Sequence, residues 1–339
     1  MLARPLPGRH TAAIAIIAAA LALGACAGGA PADPTHPARA HQADAPCGVQ
    51  AQATIAAVDA AVTAHIYGNE LAGREVNTDI AHVSTATDLI KAVAADDAAA
   101  AKAAVLRVVF HPGWHIVRLQ VYNRAGKLLA DVGGTWTIAP VSGVLKSGSR
   151  TVGHFLMSLQ DDTGETKLET RFVGNPVAIY VDGILVAQHY AAFPAALPTG
   201  SSMTLAHKRY AIVHQTFNAF PSGTLEEIML VATPAASLQQ MTCPALRASE
   251  FGRVARRLAA LATDLPHQYT AYASTVAIFT GISVFVRNGH KLLGTSGGAG
   301  PAKPPAFGTV DYEGRRSLVY SFQPLPGSSV RVYLLIPPE

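Results

Sequence analysis

Apolar residues recur at helical spacing through the first third of the chain. In the stretch 55–71, the residues at i, i+3, i+7 and i+11 predict an amphipathic helix: Ile55, Val58, Val62 and Ile66. The helical pattern continues to Phe110. Thr87 or Asp88 is the candidate N-cap of a second segment, and Asp97 that of a third.

From residue 116 the pattern becomes alternating. Ile116–Tyr122 interleaves polar and apolar side chains, which predicts a half-buried strand. Asp182-Gly183 and Asn288-Gly289 are typical of hairpin turns, because Asn, Asp and Gly tolerate the positive φ that a short turn needs. Consecutive hairpins favour antiparallel sheets over βαβ units.

A strand–turn–strand phrase occurs twice. The sequence VYNRAGKLLADVGG at 121–134 has a near copy, VRNGHKLLGTSGG, at 286–298. Three β units of similar size are therefore predicted, at 116–175, 177–234 and 282–338.

A helix over 238–264 is predicted between the second unit and the third, with an apolar face formed by Phe251, Val254, Leu258 and Leu261. The expected fold class is α+β, with N-terminal helices packed on antiparallel sheets and a repeated β unit in a second, smaller lobe. We expect a domain over 47–235 and a smaller one over 236–339.

Composition limits the partners. Half of the 339 residues are hydrophobic and 14% are charged, so the chain can bury a core. The formal net charge is +4, and it falls to +2 when Arg4 and Arg9 are subtracted from the 26 basic residues that face 22 acidic ones. The basic run Arg253, Arg256 and Arg257 fits a solvated helix face, so no nucleic-acid partner is expected.

The first residues are typical of an export signal. Arg4 and Arg9 precede the short apolar run TAAIAIIAAALAL. The run ends in LGAC, which resembles the lipobox of bacterial lipoproteins. The resemblance implies a signal peptide at 1–25, a diacylglycerol on Cys26 and a membrane partner through that lipid. A plain secretory signal with an incidental Cys26 is the alternative, and both imply export. Residues 26–46 are rich in Ala, Pro and Gly, which predicts a flexible tether.

Two cysteines remain in the body of the chain. Cys47 and Cys243 each precede a helical stretch, and paired thiols tend to oxidise outside the cytoplasm. A disulfide that joins the two helix starts is the preferred interpretation. Redox or metal chemistry is the alternative, but no CxxC pattern supports it.

The segment 75–134 resembles the extracellular Cache (PAS-like, or PDC) sensor domains of bacterial receptors. The resemblance rests on ATDLIKAVAADDAAAAKAAVLRVVF, IVRLQVYN and RAGKLLADVGG. It implies a long helix beside a PAS-like sheet and a noncatalytic sensor of a small molecule, and the repeated β units suggest a double-Cache arrangement. Leu128 and Asp131 stand where citrate and dicarboxylate sensors carry Arg and His, so that ligand class is not expected. No kinase or second membrane span follows, so a receptor or transporter partner is expected.

One polar and aromatic cluster could bind a ligand. Its candidate residues are Trp114, His115, Arg118, Tyr122 and, on a neighbouring strand, His154. Arg118 and Tyr122 would share a sheet face and could hold a small anion. The alternative is a solvated sheet edge with Trp114 in the core.

Other chemistry has little support. His111 and His115 have a metal-ligand spacing, but Pro112-Gly113 between them disfavours a helix, so no metal site is predicted. Asp161, Asp162 and Glu165 fit a calcium loop or an acid–base pair less well than a β-turn between strands. No H-E-x-x-H motif occurs, and Cys47 and Cys243 are better explained as a disulfide than as nucleophiles, so neither an enzyme nor a cofactor is expected.

The leading hypothesis is thus an exported, lipid-anchored, noncatalytic small-molecule-binding or sensor protein that acts through a partner at the outer face of the membrane. The first alternative is a structural or protein-interaction lipoprotein without a ligand pocket. The second is a hydrolase whose site is not recognised.

Overall fold

A computed structural model describes residues 45–262 and 264–338. The export signal, Cys26 and most of the tether lie outside the described residues, so those predictions stay untested. The described residues contain eight α-helices: α1 Ala51–Ala72, α2 Arg74–Thr85, α3 Thr87–Ala94, α4 Ala98–Val109, α5 Asp162–Val173, α6 Ala236–Gln239, α7 Cys243–Leu261 and α8 Tyr269–Thr280. None of them is both long and apolar enough to cross a membrane.

The N-terminal helices follow the sequence pattern closely. All four residues of the predicted apolar stripe of α1 are buried. Asp97 caps α4, because its side chain accepts a hydrogen bond from the Ala100 amide. The predicted cap of α3 is wrong: Ala86 holds the N-cap position, and neither Thr87 nor Asp88 caps the helix through its side chain.

The first sheet has the strand order β2-β1-β5-β4 and is antiparallel. Its strands are β1 Arg118–Asn123, β2 Leu128–Gly133, β4 Val141–Ser147 and β5 Arg150–Ser158, and a two-stranded ribbon beside it pairs β3 Thr137–Ile138 with β6 Gln160–Asp161. Helices α3 and α4 contact this sheet, and its buried apolar side chains join theirs in one core.

The other two sheets have the same topology. The second contains β7 Val177–Val181, β8 Ile184–His189, β9 Ser202–Leu205, β10 Lys208–Asn218 and β11 Thr224–Ala232; the third contains β12 Ser283–Asn288, β13 Lys291–Thr295, β14 Phe307–Tyr312, β15 Arg315–Phe322 and β16 Val330–Ile336. The strand orders are β8-β7-β11-β10-β9 and β13-β12-β16-β15-β14. If the strands of each sheet are numbered from 1 to 5 in chain order, both sheets have the strand order 2-1-5-4-3. This shared order confirms the predicted repeat. The predicted α+β class, with N-terminal helices and antiparallel PAS-like sheets, is confirmed as well.

Four helices share an apolar core with these two sheets. Helix α1 contacts β10 and β11 of the second sheet as well as α5, α7 and α8. Helices α7 and α8 contact strands of the third sheet. The largest cluster of buried apolar side chains draws on these helices and on both sheets. The predicted division at 235/236 stays a prediction, and this core spans it.

Three predictions about elements are corrected. Residues 162–173 form helix α5, so the first β unit does not run as strands to 175, and Asp161 caps a helix instead of belonging to a hairpin turn. Helix α8 is an element that the pattern analysis did not identify. Leu261 is 47% exposed and does not belong to the buried face of α7.

The disulfide prediction is confirmed. Cys47 is bonded to Cys243, with the two Cα atoms 4.7 Å apart. The Cys47 amide also donates to the Met241 carbonyl at 2.7 Å. The start of the described chain is therefore tied to the start of α7.

Candidate functional site

Arg118 projects from β1 beside Asp131 of β2. Its Nε donates to Asp131 Oδ1 at 2.9 Å and its Nη2 to Oδ2 at 2.7 Å, while Nη1 donates to the carbonyls of Gly134 and Thr135. Burial would raise the pKa of Asp131, but hydrogen bonds from Arg118 and Gln120 outweigh it and hold the pKa below its usual value. The guanidinium fork is thus bound to an internal carboxylate.

Tyr122 and His154 extend the same network, and they share the sheet face that the sequence predicted. The Tyr122 hydroxyl donates to Gln120 Oε1 at 2.7 Å, and Gln120 Nε2 donates to Asp131 Oδ2 at 2.9 Å. The His154 ring stacks on Tyr122 with centroids 4.8 Å apart. These polar groups satisfy one another, so the role of Arg118 in binding an anion stays a prediction without structural support.

Trp114 and His115 lie apart from that network and line a cleft of about 450 Å³. The cleft, called the acidic cleft below, lies where α1, α2 and α5 approach the strands. Its polar lining comes from Glu70, Glu75, His115 and Gln160, and its apolar lining includes Trp114 and Leu168. The indole of Trp114 stacks with the rings of His82 and His111, which fixes its position. The five predicted ligand residues therefore do not form one site. Arg118, Tyr122 and His154 belong to the network on the first sheet, and Trp114 and His115 line the cleft.

The acidic cleft carries negative charge. His115 Nδ1 contacts the Glu75 carboxylate. Burial raises the pKa of Glu70, and the Glu75 charge adds to the rise, while His115 opposes it. The lining contains no Lys or Arg. A positively charged solute would therefore be favoured there over an anion.

Behind this cleft lies a group of three buried carboxyls, called the carboxylate cluster below. Glu165 and Glu169 are one turn apart on α5, and Glu227 comes from β11 of the second sheet. Their relative exposures are 1%, 0% and 1%. One oxygen from each lies within 4.8 Å of the others.

The cluster has few protein partners. Both oxygens of Glu165 are buried without a hydrogen-bond partner, whereas Glu169 and Glu227 can share a hydrogen bond with each other when one of them is protonated. Burial raises the pKa of Glu227 to about 7. Burial also raises the pKa of Glu165 and Glu169 well above the usual value, and the charge of Glu227 adds to both rises. Three oxygen ligands of this kind suit a hard divalent cation, so these are the described residues that could hold a metal.

Asp59 of α1 and Glu250 of α7 form a second group of buried acids, and this group has a counter-ion. Arg253 of α7 donates to Asp59 Oδ1 at 2.6 Å and to Glu250 Oε2 at 2.5 Å, and it also bonds the Val173 carbonyl at the end of α5. Asn175 Nδ2 donates to Asp59 Oδ2 at 2.7 Å. This network connects α1, α5 and α7, so the prediction that Arg253 lies on a solvated helix face is wrong.

Sequence reasoning named Glu165 but missed its partners. The available signal was the i, i+4 spacing of Glu165 and Glu169, which places both on one helix face. A second signal was Glu227 in the strand TLEEIMLVA, because Leu225, Glu227 and Met229 must share a face. Neither signal stood out while residues 161–165 were interpreted as a turn.

Comparison with known proteins gives little further information. No family model matches the sequence, and no curated protein matches it. The periplasmic domain of Vibrio cholerae LuxQ is similar to 55% of this chain and 100% of its own, with 12% identity and a TM-score of 0.31. An extracellular ligand binding receptor from Desulfohalobium retbaense aligns over 77% of this chain and 39% of its own, with 10% identity and a TM-score of 0.14. At these TM-scores the likenesses carry no argument about function.

Proposed function

We propose that this protein is an exported, lipid-anchored, noncatalytic binding protein that takes a small cationic solute into the acidic cleft and reports it to a membrane partner. The observation that carries the proposal is the cleft itself, which combines two carboxylates with an apolar wall. Its volume of about 450 Å³ lies within the range of small-molecule sites.

The lining favours an organic amine. Glu70 and Glu75 supply acceptors for an ammonium group, and Gln160 adds a neutral polar group. Ile116, Val117 and the other apolar residues would contact a hydrocarbon portion. The ligand that we propose is therefore opposite in charge to the anion suggested by Arg118 alone.

The test is a thermal-shift screen of the full chain purified after export. We expect putrescine, spermidine, ethanolamine or phenethylamine to raise Tm, since binding to the native state stabilises it. Glu75→Gln and Glu70→Gln should each reduce that shift. Glu226→Gln, which removes a half-buried carboxylate that contacts His214 outside the cleft, is the control and should keep the shift. A rise with succinate or citrate and none with the amines would refute a cationic ligand.

The anchor needs a separate experiment. Metabolic labelling with a radioactive fatty acid should mark the wild-type chain, and Cys26→Ala should abolish the label. An exported wild-type chain without label would show a plain secretory signal instead.

A second candidate function is supported by a largely apolar groove of about 650 Å³ beside the start of α7. Thr242, Pro244, Phe307, Leu318, Pro337 and Pro338 contribute to it, and Phe307 is 51% exposed. An exposed apolar patch of this kind favours protein interaction. If no solute shifts Tm and Phe307→Ser abolishes co-purification of a membrane protein, the interaction lipoprotein becomes the better description.

A further inference from the structure

We propose that Glu165, Glu169 and Glu227 together bind one divalent cation through carboxylate oxygens. This site lies inside the fold, apart from the lining of the acidic cleft, and it does not depend on the solute proposed above.

The first argument is convergence. Two ligands come from successive turns of α5, and the third comes from β11, so two separate elements direct carboxyls to one point. The oxygens lie within 4.8 Å of one another. A Ca²⁺–oxygen bond is about 2.3–2.6 Å long, so one ion can touch oxygens up to about 5 Å apart. The three side chains can therefore share an ion with little movement.

The second argument is the unpartnered oxygens. A buried carboxyl normally has hydrogen-bond partners, because burial without them costs free energy. Here both oxygens of Glu165 have none among the described residues, and Glu169 and Glu227 can bond only to each other, when one of them is protonated. A cation would supply the missing partner for all three side chains at once.

The third argument is the rigidity of the surroundings. Asp161 caps α5 by accepting from the Gly164 amide, which sets the start of the helix that carries two of the ligands. On β10, Gln215 lies directly across from Glu227 in the strand register. Its amide nitrogen donates to the hydroxyl of Thr63 on α1 and not to the Glu227 carboxyl.

The ligand set selects the class of ion. Carboxylate oxygens suit Ca²⁺, Mg²⁺ and Mn²⁺, whereas softer ions prefer nitrogen or sulfur. No His or Cys belongs to the cluster. We therefore expect a hard cation such as Ca²⁺ or Mn²⁺ to bind.

The experiment uses the full chain purified after export, freed of metal with EDTA and dialysed at pH 7.5. Calorimetric titration with CaCl₂ and MnCl₂ should show one site per chain. At a cation concentration about 100 times Kd, Tm should rise by about 4 °C over the metal-free protein. Glu169→Gln should weaken binding at least tenfold and remove the Tm rise. In EDTA, the same variant should melt at or above the wild-type temperature, because it removes a carboxyl whose ionised form is disfavoured by burial.

Glu226→Gln is the matched control, since it removes a carboxylate from the neighbouring position of the same strand and should leave cation binding unchanged. Glu75→Gln should change the response to amines and keep cation binding, which separates this proposal from the previous one. No heat of binding and equal Tm values in EDTA and in excess cation would overturn the proposal, and so would wild-type affinity in Glu169→Gln. If Glu169→Gln does not fold, the comparison of the wild-type Tm in EDTA with that in excess cation decides the question.

Discussion

Replacing Arg253 with methionine tests whether the ion network between α1, α5 and α7 holds the helical layer together. Methionine keeps much of the apolar volume of the side chain and removes every donor. Asp59, which is fully buried, and Glu250, which is nearly so, would then lose their counter-ion. Asp59 would keep only the hydrogen bond from Asn175.

The expected loss follows from this change. Removing one partner of a buried ion pair costs about 3–5 kcal/mol, because the remaining charge stays desolvated. Melting of about 290 ordered residues carries an entropy of roughly 0.6 kcal/mol per degree, so Tm should fall by about 5–8 °C. Such a loss is a large share of the 5–15 kcal/mol that is usual for a folded protein.

The loss should also depend on pH. Burial raises the pKa of Asp59 to about 6, although Arg253 opposes the rise. A carboxyl whose pKa is raised by folding adds stability when it is protonated, and that contribution disappears as the pH rises through about 6. Without Arg253 the folded-state pKa rises further, so the ionised form becomes more costly. Arg253→Met should therefore lose more stability at pH 7.5 than at pH 5.

The assay is urea unfolding followed by circular dichroism at both pH values, with the disulfide intact. Arg256→Met on the same helix is the control. Arg256 is exposed and donates to the Tyr320 hydroxyl at 3.1 Å, so its loss should cost about 1 kcal/mol or less. The double variant Asp59→Asn, Arg253→Met should recover part of the stability. A loss below about 1 kcal/mol for Arg253→Met, or the same loss at both pH values, contradicts the reasoning.

Three further changes have definite expected results in urea unfolding. Replacing Cys47 and Cys243 with serine should cost about 5 kcal/mol, because the bond closes a loop with a sequence separation of 196; free thiols in the unreduced, unfolded wild type would argue against the bond. Gly153→Ala should cost about 1–3 kcal/mol, since the added methyl would meet the Tyr122 carbonyl, and an unchanged midpoint would mean that the strands can separate. Asp97→Ala should cost about 1 kcal/mol through the lost cap of α4, and no change would show that the cap is redundant.

The repeated sheets could be predicted because their turns are determined locally. Asp182 and Gly183 both adopt positive φ, at 50° and 79°, as a two-residue hairpin turn requires. Asn123 accepts hydrogen bonds from the amides of Ala125 and Lys127, which closes the first hairpin. Local chemistry of this kind is visible in a sequence.

Helices α5 and α8 could not be predicted in the same way. The residues of α5 include two glutamates that pattern analysis assigns to the solvent side, yet Glu165 and Glu169 face the core. Helix α8 is rich in aromatic and β-branched residues and lacks a clear polar face, so its period is weak. In both helices tertiary packing outweighs the local sequence pattern. The carboxylate cluster depends on α5, which carries two of its three members.

The two groups of buried acids permit a direct comparison within one helical layer. Asp59 and Glu250 are balanced by Arg253, which reaches both from α7. Among the described ion pairs, none joins a Lys or Arg to Glu165, Glu169 or Glu227, although these three are at least as deeply buried as Glu250. Apolar side chains of similar volume would satisfy the fold at lower cost. The protein supplies a counter-ion to the first group from its own sequence, and the divalent cation proposed above would supply one to the second group.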